Sequence, residues 1–481
     1  MCIRDRDESS NLIGQGYFLD INWGNTILSS RWNRVWNNKL FSNLTFTYSE
    51  FGFQFFNNST LIFEEAGRDK TNLEQFDFST NIQDVAIKMD FDYVKNNNHF
   101  LKFGFGIKER IFTPSLRYNE MLFVRDAVEE TIPIDLEFSG DNLDKVRYFA
   151  TELNFYIEDD WNITDKLSAK VGVHNALFTA SNAAWNAFQP RLSIQYAFLP
   201  SGKIYASYNQ MNQFLHVLSP AGISMPFDLW IPSTQKVAPE RARQILIGTE
   251  WHLPADFTFG AELYYKKLDN LVTYRPEVND FFLNDNSNFE WEEEVTFGQG
   301  WNYGLETSLT RKKGNTTGYL NYTWSKAERQ FEGLSSDERF PFRFNREHVI
   351  KIGVNHDFSP KFSVFSAWYY GSGQFTTPRV IEIFGEGDNI DNFQFDLNNN
   401  DAPQLNNFQL APNHKLDISF NFHWPGKRVE HFLTLSINNV YNRRNPLFSI
   451  REQEVGNPDN IIRRDVPGLP ALPGLRYAIK F

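Results

Sequence analysis

Leu416-Asp417-Ile418-Ser419-Phe420-Asn421-Phe422-His423-Trp424 alternates without a break between apolar and polar side chains. Successive side chains of an extended chain point to opposite faces. This stretch therefore lays Leu416, Ile418, Phe420, Phe422 and Trp424 on one side of a strand, and Asp417, Ser419, Asn421 and His423 on the other. Moving outward along the chain, the pattern returns. Phe259, Ala261, Leu263 and Tyr265 alternate with Gly260, Glu262 and Tyr264; Leu153, Phe155 and Ile157 alternate with Asn154, Tyr156 and Glu158. Further back, Leu101, Phe103, Phe105 and Ile107 alternate with Lys102, Gly104, Gly106 and Lys108, and Ile87, Met89, Phe91 and Tyr93 with Lys88, Asp90 and Asp92.

Applied to the whole chain, the pattern predicts strands over 25–37, 42–56, 79–96, 99–114, 148–163, 167–180, 186–200, 202–218, 239–254, 256–275, 298–314, 316–331, 345–360, 362–376, 415–426, 430–446 and 474–481. These are about seventeen strands, most of them longer than the roughly 10 residues that a tilted membrane-spanning strand needs. Their connections alternate in length. The tight set is Asn97-Asn98, Thr164-Asp165-Lys166, Ser201, Ala255, Asn315, Lys361 and Gly426-Lys427-Arg428, rich in residues that favour turns. The long set is 57–78, 115–147, 219–238, 276–297, 332–344, 377–414 and 447–473, with one short exception at 181–185. Such parity is expected of a barrel with one rim of turns and one of loops.

Composition sorts the alternatives. Aromatic residues make up 16% of the 481, with Phe 47, Tyr 19 and Trp 12, an excess typical of walls that face lipid. The mean hydropathy of -0.46 is nevertheless polar, and no apolar run is long enough for a spanning helix. A chain with this balance crosses a membrane as a closed wall of strands. The net charge of -12, with no basic run, argues against nucleic acid as a partner. Cys2 is the one cysteine, which excludes a disulfide framework and a cysteine metal site. It lies in Met1-Cys2-Ile3-Arg4-Asp5-Arg6, which has no apolar stretch and reads as a non-native leader, residues 1–6, ahead of barrel sequence over 7–481.

Trp161, Phe198, Trp251, Phe257, Phe358 and Trp424 each lie within a few residues of a tight turn and share parity with the apolar face. A lipid-water interface places aromatics there, whereas a soluble sandwich or propeller core gives no reason for it. The chain closes as Leu475-Arg476-Tyr477-Ala478-Ile479-Lys480-Phe481. Leu475, Tyr477, Ile479 and Phe481 then resemble the C-terminal signal by which outer-membrane barrels are recognised by their assembly machinery.

Three passages resemble the TonB-dependent outer-membrane receptors, particularly those of Bacteroidota-type bacteria. The closing region carries His414-Lys415-Leu416-Asp417-Ile418, Leu433-Thr434-Leu435-Ser436-Ile437-Asn438-Asn439-Val440-Tyr441-Asn442-Arg443-Arg444-Asn445 and Leu469-Pro470-Ala471-Leu472-Pro473-Gly474-Leu475-Arg476-Tyr477. Trp23-Gly24-Asn25-Thr26 with Asn38-Lys39-Leu40-Phe41-Ser42-Asn43 is similar to earlier strands of that family, and Arg346-Glu347-His348 to its strand starts. The resemblance implies an all-β, transmembrane antiparallel barrel in the bacterial outer membrane. A full receptor would have about 22 strands and an N-terminal plug, so this chain, with about 17, is read as an incomplete, C-terminal portion.

By the same resemblance the function is energised import of a bulky scarce nutrient: siderophore-iron, haem, cobalamin or an oligosaccharide. The implied partners are the TonB complex, acting through the region that precedes this chain, outer-membrane lipid, the assembly machinery, the small-molecule or oligosaccharide ligand and a surface lipoprotein. A passive porin or fatty-acid channel is the competing reading. A porin is complete at about 16 to 18 strands, and strand count separates the two.

Few residues carry site chemistry. Phe227 and Trp230, with Pro226 and Pro232, lie in a predicted outer loop, where the rings stack on a ligand or pack the loop onto itself. Asp396-Leu397-Asn398-Asn399-Asn400-Asp401 spaces oxygen groups as calcium loops do, but lacks the glycine at the sixth position and the acidic twelfth ligand. Glu290, Glu292, Glu293 and Glu294 read as a solvated acidic run. His174, His356 and His423 show no metal-ligand spacing and fill strand positions. No nucleophile elbow, phosphate loop or zinc motif is found, and the sequence implies no enzyme and no cofactor.

Overall fold

The structure, a computed structural model, describes residues 11–65, 68–125, 131–134, 147–180, 183–218, 229–275, 291–377, 380–384, 392–395, 405–426, 429–454 and 457–480. Most of them belong to one antiparallel sheet of 19 strands. Two of these are short flaps, Thr131–Ile134 on the fourth strand and Phe340–Pro341 on the twelfth. The others form the wall. In chain order the first eight are β1 Asn11–Val35, β2 Leu40–Glu65, β3 Arg68–Val94, β4 His99–Arg125, β5 Tyr148–Asn162, β6 Leu167–Ala180, β7 Ala183–Leu199 and β8 Gly202–Gln213. The next five are β9 Glu240–Leu253, β10 Phe257–Tyr274, β11 Val295–Arg311, β12 Thr316–Phe331 and β13 His348–Ser359. The last four are β14 Phe362–Gly371, β15 Asn413–Trp424, β16 Glu430–Asn438 and β17 Leu472–Lys480. Each pairs with the next in sequence, an up-and-down meander, and no pairing joins β1 to β17 among the described residues.

The register aligns like with like. Ile247, Leu263, Leu305 and Trp324 are successive cross-strand partners over β9 to β12. This apolar side is the open one: Ile247 is 59% and Leu263 58% exposed, and Phe105, Phe155, Ile157 and Phe188 are exposed too. A soluble sheet buries its apolar face, so a wall that turns it outward has lipid as its solvent. The opposite face is polar and cross-linked. Asp160 bridges Lys102 at 3.3 Å and Lys170 at 3.2 Å, and Arg110 holds Asp84 at 2.6 Å.

Two aromatic bands bound the apolar face. At the rim of tight turns Phe358, Phe362 and Phe422 follow one another at ring separations of 5.5 and 5.1 Å, Trp424 stacks on Phe422, and Phe198 meets Trp251 edge-on at 5.0 Å. Trp161 and Phe358 are exposed there, and Phe257 is half-buried. Toward the loops Tyr265, Tyr303 and Trp324 form a second band at 6.5 and 6.2 Å, continued by Trp368, Tyr370 and His414. About eight residues separate the bands on β10, roughly 21 Å for a strand tilted near 40°, close to the apolar height of an outer-membrane wall.

Several predicted boundaries are corrected. The expected long loop at 57–78 is largely strand, and the one at 115–147 opens as strand up to Arg125, because β2 and β3 stay paired to Glu65↔Arg68 and β4 follows β3 to Asp69↔Arg125. Their alternation is weaker there, since neither face meets lipid so far from the turns. The first strand starts at Asn11 rather than residue 25. The strand predicted over 430–446 stops at Asn438, since Asn439 and Asn442 take left-handed φ of 55° and 52°. The loop over 447–473 contains a hairpin, Pro446–Glu454 with Asn457–Pro467. The loops with calcium-like spacing over 396–401 and the Lys427-Arg428 turn lie outside the described residues.

Candidate ligand site at the loop-side mouth

Between β8 and β9 the chain forms a short hairpin, Leu215–Leu218 paired with Leu229–Pro232. It reaches β4 and β5 on one side and β10 on the other, although β6 to β9 lie between them in the wall. The hairpin therefore lies across the inside of the mouth. Small residues make room for it. Ala150, Ala176, Ala180 and Ala187 are buried on the inward faces of β5 to β7 beside Phe112 and Phe178, and Phe214 stacks on Phe178 at 4.6 Å. Leu215 and Trp230 pack against this cluster. A second cluster, with Leu218, Ile231, Val237, Val272 and Trp291, anchors the far side.

Polar contacts fix the same unit. His216 is fully buried, with Nε2 3.0 Å from Ser233 Oγ and Nδ1 3.5 Å from Glu240. Trp185 Nε1 donates to the Thr234 carbonyl at 3.1 Å. Phe214→Ala removes the stacked ring that clamps one end, a loss of about 3–5 kcal/mol of packing. Amide-exchange protection over 215–218 is expected to fall to that of a free loop. Unchanged protection would mean that the ring is not the anchor.

Beside the hairpin, Arg329 lies buried on the inward face of β12, above the apolar band. Its Nη1 donates to Asn302 Oδ1 at 2.9 Å and to the Glu328 carbonyl at 2.8 Å, and its guanidinium stands 4.2 Å from the Phe342 ring centre. Burial lowers its pKa to about 10, with Glu240 opposing the shift, so it stays charged at neutral pH. A desolvated cation over an aromatic ring suits an anionic or chelate ligand.

Of the predicted ligand residues, Trp230 is half-buried in the hairpin and Phe227 lies outside the described residues. Trp230 packs against the buried cluster of the inward wall that holds Phe112, Ala176 and Phe178. Glu292 and Glu293 meet Lys236 at 3.9 and 3.2 Å, while Glu290 is outside the described set. His174 pairs with Gln189 and His356 with Thr316, and no cluster of three or more metal-ligating residues occurs among the described residues. Leu475, Tyr477 and Ile479 are exposed on the outward face of β17, and Phe481 lies outside the described residues. Phe214, His216 and Arg329 were not singled out by the sequence reading.

A long antiparallel meander, apolar outside and polar inside, with turns at one rim and docked loops at the other, defines an outer-membrane barrel wall. The profile described as "TonB dependent receptor-like, beta-barrel" matches residues 4–442, and the chain belongs to that family. No curated protein matches it. Among solved structures it is similar to the ferripyoverdine receptor of Pseudomonas aeruginosa, with 10% identity and a TM-score of 0.55, covering 95% of this chain and 65% of that one. The FrpB iron transporter of Neisseria meningitidis gives 12% identity, a TM-score of 0.55 and coverage of 95% and 71%. The siderophore receptor PirA of Acinetobacter baumannii gives 10%, 0.56, 95% and 70%. At these identities the likeness is one of fold. The chain spans about two thirds of the length of these structures.

Proposed function

We propose that this chain is the wall and loop-side mouth of an outer-membrane importer for a bulky, scarce ligand, with energy delivered by the TonB complex. The ligand class is an iron chelate, haem, cobalamin or an oligosaccharide, and the receptors it resembles in fold favour the iron chelate. The observation that carries the reading is the wall itself. Among the described residues its edge strands β1 and β17 make no pairing with each other at seventeen strands, whereas passive channels close at about 16 to 18. On this reading Trp230 of the hairpin and Phe227 of the same loop supply ligand contacts, and the buried Arg329 adds positive charge behind them. The implied partners are TonB, the ligand, outer-membrane lipid, the assembly machinery, acting on the Leu475, Tyr477, Ile479 and Phe481 signal, and a surface lipoprotein. No bond is made or broken in this cycle, so the reading involves no catalysis.

The test is accumulation of radiolabelled ferric chelates by cells that produce the receptor, before and after a protonophore. The proposal expects uptake to collapse when the proton gradient is removed. Uptake that persists unchanged would identify a passive channel instead.

A further inference from the structure

Asp269 stands on the outward, lipid-facing side of β10, two steps beyond Lys267 and four beyond the band residue Tyr265. Three cations share its carboxylate. Arg243 Nη2 donates to Asp269 Oδ2 at 2.6 Å, Arg241 Nη2 to the same oxygen at 3.2 Å, and Lys267 Nζ lies 3.6 Å from Oδ1. The register shows that these side chains point away from the lumen: Arg243 pairs with Lys267 two residues along from Ile245↔Tyr265, and both share the parity of the exposed Ile247 and Leu263. Lys267 is in turn the partner of Trp301 on β11, whose ring is capped by Arg339 at 3.6 Å. The neighbouring Lys326 and Glu328 neutralise each other at 3.6 Å.

The arrangement leaves an excess of positive charge on an otherwise acidic chain of net charge -12. Asp269 is nearly covered, while Arg241 and Arg243 remain about two-fifths exposed, so the carboxylate orders the guanidinium groups and their free donors face out. The cations stand just beyond the aromatic band, where the polar heads of the external leaflet lie. Planar guanidinium groups present forked donors that match phosphate oxygens.

We propose that Arg241, Arg243 and Lys267, ordered by Asp269 and flanked by Arg339, form a docking site for phosphorylated head groups of the external leaflet of the outer membrane. The site fixes the height of the wall in the membrane on the β9 to β11 side. It is independent of import and of the ligand carried.

The test is native mass spectrometry of the full receptor extracted from its own outer membrane, counting retained phosphorylated glycolipid. Arg241→Gln/Arg243→Gln/Lys267→Gln is compared with Lys312→Gln/Lys313→Gln at the turn rim and with the charge-keeping Arg241→Lys/Arg243→Lys. Re-addition of the same glycolipid, of its dephosphorylated form and of inorganic phosphate completes the set. Heat-modified electrophoretic mobility confirms folding of each variant. The triple variant is expected to bind phosphorylated lipid more weakly, by roughly fivefold per cation removed. The other two variants retain it, and dephosphorylated lipid and inorganic phosphate do not compete. Equal retention by the triple variant, equal loss at the turn rim, or equal binding of dephosphorylated lipid would overturn the proposal. Should the triple variant fail to fold, Arg243→Gln alone is expected to lower the retained phosphorylated lipid by roughly fivefold, and unchanged retention would overturn it.

Discussion

Leu263→Arg is expected to destabilise the wall by about 2 kcal/mol, the cost of a cation on a lipid-facing strand between the midplane and the loop-side band. Leu263 lies between the two aromatic bands on β10, two residues from the loop-side one at Tyr265, is 58% exposed, and is flanked by Ile247 and Leu305 on the adjoining strands. Exposure to water would make that substitution nearly free, since solvated surface changes stay within about 0.5 kcal/mol. The comparison is Asn321→Arg on the inward side of β12, for which a change of that small size is expected. Denaturant midpoints for folding into lipid vesicles measure both. A cheap Leu263→Arg with a costly Asn321→Arg would mean that the faces are assigned the wrong way round.

Gly248→Val is expected to cost about 3 kcal/mol. A Cβ at Gly248 would stand 2.5 Å from the Tyr205 ring, which lies over β9 and places its hydroxyl 2.5 Å from Glu262 on β10. The tyrosine thus ties β8 to β10 across the strand between them. Valine must displace the ring, adding overpacking to the loss of a hydrogen bond to a charged acceptor. The same device recurs where Tyr156 crosses Gly104 to reach Asp90, and Tyr319 covers Gly353. Denaturant titration of Gly248→Val, Tyr205→Phe and the pair is the check. Because both act through one contact, the double variant is expected to be little worse than Gly248→Val alone. Full additivity would show that ring and glycine are unconnected.

The wall was legible because each strand must solve the same problem with lipid on one side and water on the other. That constraint prints a two-residue period on every spanning segment, and the turns at one rim punctuate it. Where the constraint lapses, the period fades. The outer halves of β2 and β3 carry Asn57-Asn58-Ser59-Thr60 and Glu74-Gln75-Phe76-Asp77, and their pairing is visible only in the structure. The mouth was less legible, since Phe214, His216 and Arg329 are brought together by a chord across the wall that no local pattern records. A signal did exist. Phe112, Ala176 and Phe178 are apolar residues on the polar parity of their strands, and such exceptions near the loop rim mark where a loop docks inside.

The identity of the faces is the claim on which location and transport both rest. It is tested by placing a nitroxide label at each position from 257 to 266 of the folded receptor in lipid vesicles. Collision with oxygen, which concentrates in lipid, and with a water-soluble nickel chelate is then measured. The account predicts oxygen maxima at Phe257, Phe259, Ala261, Leu263 and Tyr265 and nickel maxima at the positions between, with oxygen access greatest near Ala261. Both reagents excluded from the odd positions, as in a dry core between two sheets, would contradict it.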